Sequence, residues 1–459
     1  MGKVAFDATM MLKWRSLEPV GIVRLERILA AAIGNTYQDV AVFVRFHRGA
    51  YWEVLEEDVV WIRSLGGNES AVEPPEQTEL APSEGSQRTA RTLLARRYIR
   101  RSFLDLAVRS PPELSPHLAN AAMSMATLLV ESSRWARREL KQKKIDPGVS
   151  QPDVPRGSPL ANLDVSDLVI VGLGWEYLDY EYLYSLKTTA NVRLHIAAFD
   201  LIPVLHPELN PFQAHIVHRH YAEMSHFAHQ IISISNATQY ALENFFDSEE
   251  LAAPKLFVNP LPSFISPDDS MREAYNGVEP FVLFVSTIEI RKNHILLLKI
   301  WLDCLSSGRS MPRLVFVGRR GWLVEDVFDY VENNPLLADA VDIVHDLNDR
   351  ELQILYTTCL FTVFPSRSEG WGLPITEAMA LGKVCLHADD PAQKEASQGL
   401  MPVLHPDDYI GWRAALLELI DNEGHRQNLE ATIARDFHAI KPAIYGARFI
   451  SLIEEARSA

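Results

Sequence analysis

The sequence has 459 residues, of which 47% are hydrophobic and 23% are charged, and its formal net charge is −16. This length exceeds a single ordinary core and predicts two domains, while the composition excludes a largely disordered chain. The negative charge argues against nucleic acid as a partner, and no run approaches the roughly 20 apolar residues that a membrane-spanning helix needs.

The N-terminal sequence MGKVAFDATMMLKW is typical of a strand and lacks the basic and apolar regions of a secretion signal. The three cysteines, Cys304, Cys359 and Cys385, have no metal-ligand spacing, so they are expected to be buried free thiols. These features predict a cytoplasmic protein, with attachment to the inner face of the cytoplasmic membrane as the alternative.

The first half alternates strand patterns with helical patterns. Strands are predicted at 4–9, 40–46, 167–173, 193–199 and 230–235, with a helix-period run at 23–33, an acidic loop at 66–87, basic helical segments within 88–144 and a linker at 145–165. Apolar runs without alternation are typical of parallel strands that are covered on both faces.

The second half repeats this alternation after a break at 262–280. Its strands are predicted at 281–287, 313–318, 341–345, 360–364 and 383–387. Two such series predict an α/β protein with two Rossmann-like, doubly wound domains that face a cleft. We expect the domains at 1–270 and 278–440, with an insertion at about 60–165 in the first.

The segment FPSRSEGWGLPITEAMALG (364–382) carries the strongest chemical signal. A strand ends at Phe364, Gly370 and Gly372 let the backbone approach a ligand, and Pro374 is suited to the first position of a helix. The amino end of a helix favours an anionic phosphate. Glu369 and Glu377 bracket this turn; either one alone fits a solvated or helix-capping glutamate, but the whole turn favours a binding site.

A second candidate element is Arg291 and Lys292, which follow an apolar strand in STIEIRKNH (286–294). Fixed cations stabilise the charge that builds up on a phosphate leaving group. The alternative is a solvated turn before a helix.

The 364–382 segment resembles the donor-site signature of retaining glycosyltransferase family 4, a GT-B family that includes bacterial mannosyltransferases of O-antigen, capsule and exopolysaccharide assembly. Collinear segments are similar to other motifs of that family: VGIVRLERIL (20–29), FDLIPVLHPE (199–208), SISNAT (233–238), STIEIRKNH (286–294) and VGRRGW (317–322). The resemblance spans nearly the whole chain except about 60–165.

The resemblance implies specific roles. Glu369 and Asp200 are the implied catalytic residues, and the implied donor-binding residues are Gly21, Arg291, Lys292, Gly318, Gly370, Trp371, Gly372, Leu373 and Glu377. Among these, Glu377 is expected to hold the ribose hydroxyls, and Arg291 and Lys292 to neutralise the diphosphate. The resemblance also implies that the domain at 1–270 binds the acceptor and that the domain at 278–440 binds the nucleotide-sugar donor. Residues 441–459 are expected to form a helix that packs back on the first domain.

Two positions depart from the family pattern. Phe199 stands where many members have a histidine before Asp200, so Asp200 either takes over part of that role or only caps the end of the strand. Ile288 stands where many members have an arginine, which makes Arg291 the expected substitute.

Motif absences guide the cofactor prediction. Six histidines lie between 206 and 229, but no cysteine or clear carboxylate pair accompanies them, and the chain has no Asp-x-Asp sequence. We therefore expect no bound metal and no cofactor. The chain also lacks GxGxxG after the first strand, the P-loop motif and the GxSxG elbow, which disfavours oxidoreductases, P-loop enzymes and hydrolases.

The resemblance implies that the protein transfers a sugar with retention from a nucleotide-diphosphate donor, with GDP-mannose as the preferred candidate, to a glycan or lipid-linked acceptor in bacterial surface polysaccharide synthesis. A nucleotide-sugar epimerase on the same fold and a non-catalytic sugar-nucleotide sensor or scaffold are the alternatives. The sequence leaves open the donor base and sugar, the acceptor, the linkage and the oligomeric state.

The segment 88–144 has 13 basic and 4 acidic residues in an otherwise acidic chain. Its arginines are interleaved with apolar residues, a pattern that fits either docking on an anionic membrane or a helix packed on the first domain. The docking hypothesis predicts that the protein floats with anionic liposomes at low salt but not at high salt. Changing Arg96, Arg97, Arg100 and Arg101 to glutamate should abolish this flotation, whereas equal and negligible flotation of both proteins would contradict docking.

Overall fold

The structure is a computed structural model that describes residues 2–15, 21–65, 157–172, 177–210, 213–265, 279–345 and 347–458. These residues belong to one compact unit. The basic segment 88–144, the acidic loop 66–87 and most of the 145–165 linker and the 262–280 break lie outside the described residues. None of the helices in the described ranges is both long and apolar enough to span a bilayer.

The first half builds a seven-stranded sheet in the order β3-β2-β1-β4-β5-β6-β7. Its strands are β1 (Lys3–Asp7), β2 (Ala41–His47), β3 (Ala50–Glu53), β4 (Val165–Ile170), β5 (Arg193–Ala198), β6 (Gln230–Ser233) and β7 (Lys255–Val258). All neighbouring strands are parallel except β3, which pairs antiparallel with β2. The described helices of this half are Thr9–Lys13, Gly21–Tyr37, Glu56–Ser64, Tyr180–Thr188, Ile202–Leu205, Ala214–Phe227 and Asn236–Ser248.

The second half builds a parallel six-stranded sheet in the order β10-β9-β8-β11-β12-β13. Its strands are β8 (Phe281–Val285), β9 (Arg313–Val317), β10 (Val341–Val344), β11 (Phe361–Phe364), β12 (Cys385–Ala388) and β13 (Val403–Leu404). Its helices are His294–Ser306, Glu325–Glu332, Pro335–Ala340, Asp349–Thr358, Leu373–Ala380, Pro391–Ala396, Tyr409–Asp421, Glu423–Asp436 and Pro442–Ser458.

The expectation of an α/β protein with two parallel, doubly wound sheets is confirmed. The sequence patterns do not predict the strands β3, β7 and β13, all of which lie at the edge of a sheet. An edge strand is covered less than a central one, and these three strands are two to four residues long with few buried side chains. They therefore lack the continuous apolar run that marks a central parallel strand.

The last helix, Pro442–Ser458, packs against Gly21–Tyr37 of the first half. Gly446 lies so close to this partner that an added Cβ would stand 2.9 Å from Cβ of Ala32. Phe449 is fully buried, and Arg457 forms an ion pair of 3.2 Å with Asp167. The end of the chain is thus tied to the first sheet by both apolar packing and charge.

In each sheet, successive strands are added first to one side of the first strand and then to the other side, so the strand order reverses once. The reversal lies between β1 and β4 in the first sheet and between β8 and β11 in the second. In open α/β sheets, ligands bind beyond the carboxyl ends of the strands at such a reversal point. The two edges are therefore the places to look for a site.

Candidate active site

The second sheet brings the two C-terminal motifs together at its reversal point. Because β8 and β11 are hydrogen-bonded neighbours, the turns that follow them meet at the same edge. The turn after β8 carries Arg291 and Lys292 in the 3₁₀ segment Ile290–Lys292, and the turn after β11 carries Glu369.

One carboxylate oxygen joins these two turns. Glu369 Oε1 lies 2.8 Å from Nη1 of Arg291 and 2.6 Å from Nζ of Lys292, and it also accepts a hydrogen bond from the Ser366 hydroxyl. Burial opposes the charge on Glu369, but the two cations outweigh burial and lower the pKa of Glu369 to about 2. Glu369 is therefore a buried, permanently ionised group at neutral pH.

The two cations are held differently. The Arg291 guanidinium donates from Nε and Nη2 to Glu289 Oε1, at 3.1 and 2.7 Å, and from Nη1 to the Ser368 carbonyl at 2.5 Å. Within the described part of the chain, the Lys292 ammonium donates one hydrogen bond, of 2.6 Å, to Glu369. An ammonium has three donors, so Lys292 keeps donors for a phosphate, while Arg291 mainly cross-links the turns.

The second glutamate of the motif, Glu377, lies in the helix Leu373–Ala380. Gly372 precedes this helix with a φ of 119°, a conformation that favours glycine, and Pro374 is the second helical residue, not the first as expected. The Tyr356 hydroxyl donates to Glu377 Oε2 at 3.0 Å. Burial raises the pKa of Glu377 to about 7, against the charge of Arg24 and the Tyr356 hydrogen bond.

Residues of the first half press directly on the turn that carries Glu369. A Cβ added to Gly370 would lie 2.2 Å from the Phe199 carbonyl oxygen and 3.0 Å from Asp200 Cβ, and one added to Gly21 would lie 2.8 Å from Leu373 Cδ1. The structure thus places Asp200 and Gly21 against the donor-motif turn.

Asp200 also forms a hydrogen bond within the first half. Its Oδ1 accepts a hydrogen bond of 3.0 Å from the amide of Ile202, the first residue of the short helix Ile202–Leu205. Burial raises the pKa of Asp200 even though the Arg291 charge opposes that change. Asp200 therefore holds the chain that follows β5 and also lies beside the site.

Gly318 and Trp371 are two further residues that are expected to bind the donor. A Cβ at Gly318 would lie 1.9 Å from the Ser286 carbonyl oxygen, so Gly318 allows the end of β9 to pack against the turn after β8. The Trp371 side chain is 7% exposed, and its indole N–H has no hydrogen-bond partner among the described residues. A buried donor without a partner is costly, which makes Trp371 a candidate to donate to a ligand.

Several residues that shape this site were not predicted from the sequence. Glu289 holds Arg291, and the Asp390 carboxylate accepts a hydrogen bond of 3.4 Å from the Glu369 amide. Burial raises the pKa of Asp390 to about 6. Glu289 could have been noticed as the residue two positions before Arg291, whereas no spacing signal connects Asp390 with Glu369.

Direct hydrogen bonds between the two halves hold them against each other. The Glu395 carboxylate accepts from the amides of Asn236 and Ala237, at 2.8 and 2.6 Å. The Trp322 indole donates to the Leu209 carbonyl at 3.0 Å. These contacts keep the first half next to the Glu369 turn.

Three of the six histidines in 206–229 have separate partners. His218 lies 3.1 Å from Glu249, His220 lies 3.1 Å from the Tyr180 hydroxyl, and His229 packs edge-on against His195. Across the described ranges, no three His, Cys, Asp or Glu side chains form a group that could hold a metal ion.

The motifs of the second half lie in a segment that matches a known protein family. Positions 267–435 match the family model described as "Glycosyl transferases group 1". Residues 267–435 are a group 1 glycosyltransferase domain. Glu369, Arg291 and Lys292 all lie within this group 1 domain, and the match confirms the glycosyltransferase resemblance that the motifs indicated.

Two curated relatives share part of the sequence. The serotype-specific mannosyltransferase WbdA of Escherichia coli is 29% identical over 139 residues, which cover 30% of this chain and 17% of WbdA. The O-antigen chain mannosyltransferase RfbU of Salmonella typhimurium is 35% identical over 80 residues, which cover 17% of this chain and 23% of RfbU. The matched parts thus span less than a quarter of either relative.

A solved structure extends the likeness to both halves. Anabaena Alr3699/HepE in complex with UDP-glucose superposes with a TM-score of 0.59 at 13% identity, covering 99% of this chain and 100% of that one. At this identity the likeness shows the fold alone. Together with the group 1 domain, it establishes the GT-B arrangement of two parallel-sheet domains.

The close contact at Gly370 generates a testable prediction. In Gly370→Ala, the new Cβ would clash with the Phe199 carbonyl, and overpacking of this kind costs about 1–3 kcal/mol. We expect turnover to fall about tenfold or more, with unchanged circular dichroism. Gly424→Ala is the control, because its Cβ would meet only the Asn422 side chain, at 3.6 Å. Wild-type turnover in Gly370→Ala would show that the turn does not need this fit.

Proposed function

We propose that the protein is a metal-independent, retaining glycosyltransferase that transfers mannose from GDP-mannose to a glycan or lipid-linked acceptor during bacterial surface polysaccharide synthesis. The observation that carries this proposal is the ion-pair group of Glu369, Arg291 and Lys292 at the reversal point of the group 1 domain.

The charge arrangement suits a nucleotide-diphosphate sugar. Cleavage of the bond between sugar and phosphate transfers negative charge to the departing diphosphate, and fixed donors in a buried site stabilise that charge. Lys292 supplies the cation with remaining donors, and the amide groups at the start of Leu373–Ala380 supply a partial positive charge. Both groups are held in place before the donor binds.

The proposed roles of the carboxylates follow from their positions. Glu369 stays ionised beside the two cations and contacts the donor sugar near the reacting carbon. Asp200 faces the same turn from the first half and supports the positive charge of an oxocarbenium-like transition state. The donor phosphate accepts the acceptor proton, which keeps the incoming hydroxyl on the face that the phosphate leaves.

Phe199 cannot replace the hydrogen bonds of the histidine that many family members have at this position, because its side chain is a hydrocarbon ring. Its carbonyl accepts a hydrogen bond of 3.0 Å from Thr238, so its backbone is used to hold the strand end. We propose that Asp200 and the Trp371 indole N–H provide the polar contacts to the donor sugar instead.

The choice of mannose is supported by the names of the relatives. WbdA and RfbU are both described as mannosyltransferases, and RfbU as acting on O-antigen chains. The absence of a metal requirement is supported by Arg291 and Lys292, which supply at the diphosphate the positive charge that a divalent cation would otherwise supply.

The test of this proposal is donor turnover in the presence of EDTA. We expect GDP release from GDP-mannose without acceptor, faster release with acceptor, and retention of the anomeric configuration by NMR. Glu369→Gln should lower turnover at least ~10²-fold, because a preorganised electrostatic partner is lost, while the melting temperature changes little. A folded Glu369→Gln protein with wild-type turnover would reject the role of Glu369.

Other results of the same assay identify the alternatives. A change of the donor sugar without release of nucleoside diphosphate would indicate an epimerase. Binding without any turnover, over a panel of GDP, UDP, dTDP and ADP sugars, would indicate a sensor or scaffold. Activity that EDTA abolishes and Mg²⁺ or Mn²⁺ restores would reject the metal-independent mechanism.

The raised pKa of Glu377 predicts a pH dependence for donor binding. Ribose hydroxyls donate to the ionised carboxylate, but with a pKa of about 7 the empty site holds a proton on Glu377 at lower pH. Binding must release that proton, so donor affinity should weaken by up to about tenfold per pH unit below 7 and level off above it. Titration calorimetry from pH 5.5 to 8.5 measures this effect.

Glu377→Gln is the matching control for that titration. It should bind the donor about 1–3 kcal/mol more weakly at high pH, because a charged hydrogen bond is lost, and its affinity should not change near pH 7. Unaltered pH dependence in this variant would show that another group titrates.

A further inference from the structure

An ion pair joins the two halves beside Glu377. Arg24 belongs to the helix Gly21–Tyr37 of the first half. Its Nη2 pairs with Oδ1 of Asp349, the first residue of the helix Asp349–Thr358 of the second half. The Arg24 side chain is 18% exposed, whereas that of Asp349 is 61% exposed. The cation is therefore largely covered, while its partner faces solvent.

The helix Asp349–Thr358 contacts both Arg24 and Glu377. Tyr356, seven positions after Asp349, donates its hydroxyl to Glu377 Oε2 at 3.0 Å. Seven residues make about two turns of an α-helix, so Asp349 and Tyr356 project from the same side. The group that binds Arg24 and the group that binds Glu377 thus come from one face of one helix.

A contact between two helix starts also brings Arg24 towards Glu377. A Cβ at Gly21 would lie 2.8 Å from Cδ1 of Leu373, the first residue of the helix Leu373–Ala380. Arg24 follows Gly21 by three positions, and residues three or four positions apart lie on one face of a helix. Glu377 follows Leu373 by four positions, so the same rule applies to it. The cation and the carboxylate therefore both lie one turn beyond the point at which the two helices meet.

The charge of Arg24 acts on Glu377. Burial raises the pKa of Glu377 to about 7, and Arg24 opposes burial more strongly than the Tyr356 hydrogen bond does. The negative charge of Asp349 acts in the other direction and supports the raised pKa. Arg24 thus favours the ionised carboxylate, and Asp349 disfavours it.

The neighbouring elements contribute further titratable groups. On the adjoining helix Pro391–Ala396, Lys394 forms an ion pair and Glu395 accepts from two amides of the first half. In β12, burial raises the pKa of the Cys385 thiol to about 12 and lowers that of the His387 imidazole, which leaves both groups uncharged at pH 7. The ion pair between the halves is therefore the charged group whose removal should change the ionisation of the carboxylate.

We propose that Arg24 is a positioning residue for the donor: from the first half, it keeps Glu377 in the ionised form that accepts the ribose hydroxyls. Asp349 limits this effect, because it binds the same guanidinium and carries the opposite charge. The inference rests on the proposed role of Glu377 in donor binding and adds to it a contribution from the other half. Nucleotide recognition in the second half then depends on the contact between the halves.

The test is titration calorimetry of GDP-mannose binding to the full chain from pH 5.5 to 8.5. The affinity levels off above the pKa of Glu377 in the empty site, and the pH of this inflection is the measured quantity. Arg24→Gln should raise the inflection by about one pH unit, because a nearby cation lowers a carboxyl pKa by that amount or more. At pH 7 this variant should bind about fivefold more weakly. Arg24→Lys keeps the charge and should restore the inflection to near the wild-type value.

Asp349→Asn gives the opposite expectation. It removes an anion and leaves the Arg24 charge to act on Glu377, so the inflection should move to lower pH. The double variant Arg24→Gln/Asp349→Asn should lie between the two single variants. Loss of the contact alone, which both single variants share, would move both inflections in the same direction.

Arg309→Gln is the matched control. Arg309 forms a comparable ion pair with Asp421, in which the side chains are 34% and 57% exposed. It lies between the helix His294–Ser306 and the start of β9, at the amino edge of the second sheet, whereas Glu377 lies beyond the carboxyl edge. Its loss should leave both the inflection and the melting temperature unchanged.

Two results would overturn the proposal directly: an unchanged inflection in Arg24→Gln, or a shift of the same sign in Asp349→Asn. Weaker binding at every pH without a shift would also overturn it, because that result indicates direct contact between Arg24 and the donor phosphate.

The release of GDP tests the proposed function separately. If GDP-mannose is turned over and Glu377→Gln removes the pH dependence, but the inflection stays fixed in the Arg24 and Asp349 variants, only the role of Arg24 fails. If the wild type shows no pH dependence, the role of Glu377 fails and this inference fails with it.

Discussion

A single carboxylate oxygen organises the donor side of this protein. Glu369 Oε1 accepts from Arg291 and Lys292 and so joins the turns after β8 and β11. Burying this charged group requires compensation by its partners, and Glu289 and the Ser368 carbonyl in turn hold other donors of Arg291. The strand order makes this possible, since it places the two turns side by side at the point where the sheet reverses direction.

The second constraint is the close fit between the two halves. The turn that carries Glu369 has glycine at position 370, where the backbone of Phe199, just after β5, leaves no room for a side chain. It has a second glycine at position 372, where the residue before the helix has a positive φ. Glu395 fastens the helix Asn236–Ser248 beside that contact. Asp200 therefore reaches the donor turn through backbone packing between domains, and its own side chain remains tied to the Ile202 amide.

The two halves differ in the charge that they offer to a ligand. The reversal point of the second sheet presents buried cations and the amino end of a helix, which suit a diphosphate. The reversal point of the first sheet leads into a groove that is lined by tyrosines and carboxylates.

The sequence by itself determined what depends on neighbouring residues. Apolar runs located the central strands, and the glycine and proline pattern located the turn with Glu369 and Glu377, because these signals are local. Only the tertiary structure decided which polar groups meet. Lys292 and Glu369 are 77 positions apart, and Asp390 accepts a hydrogen bond from the Glu369 amide although no motif connects these two residues. It also decided that Arg291 is occupied by Glu289 and that Glu377 is buried with a raised pKa. Ion pairing and desolvation depend on the packing of distant segments, and no spacing along the chain records that packing.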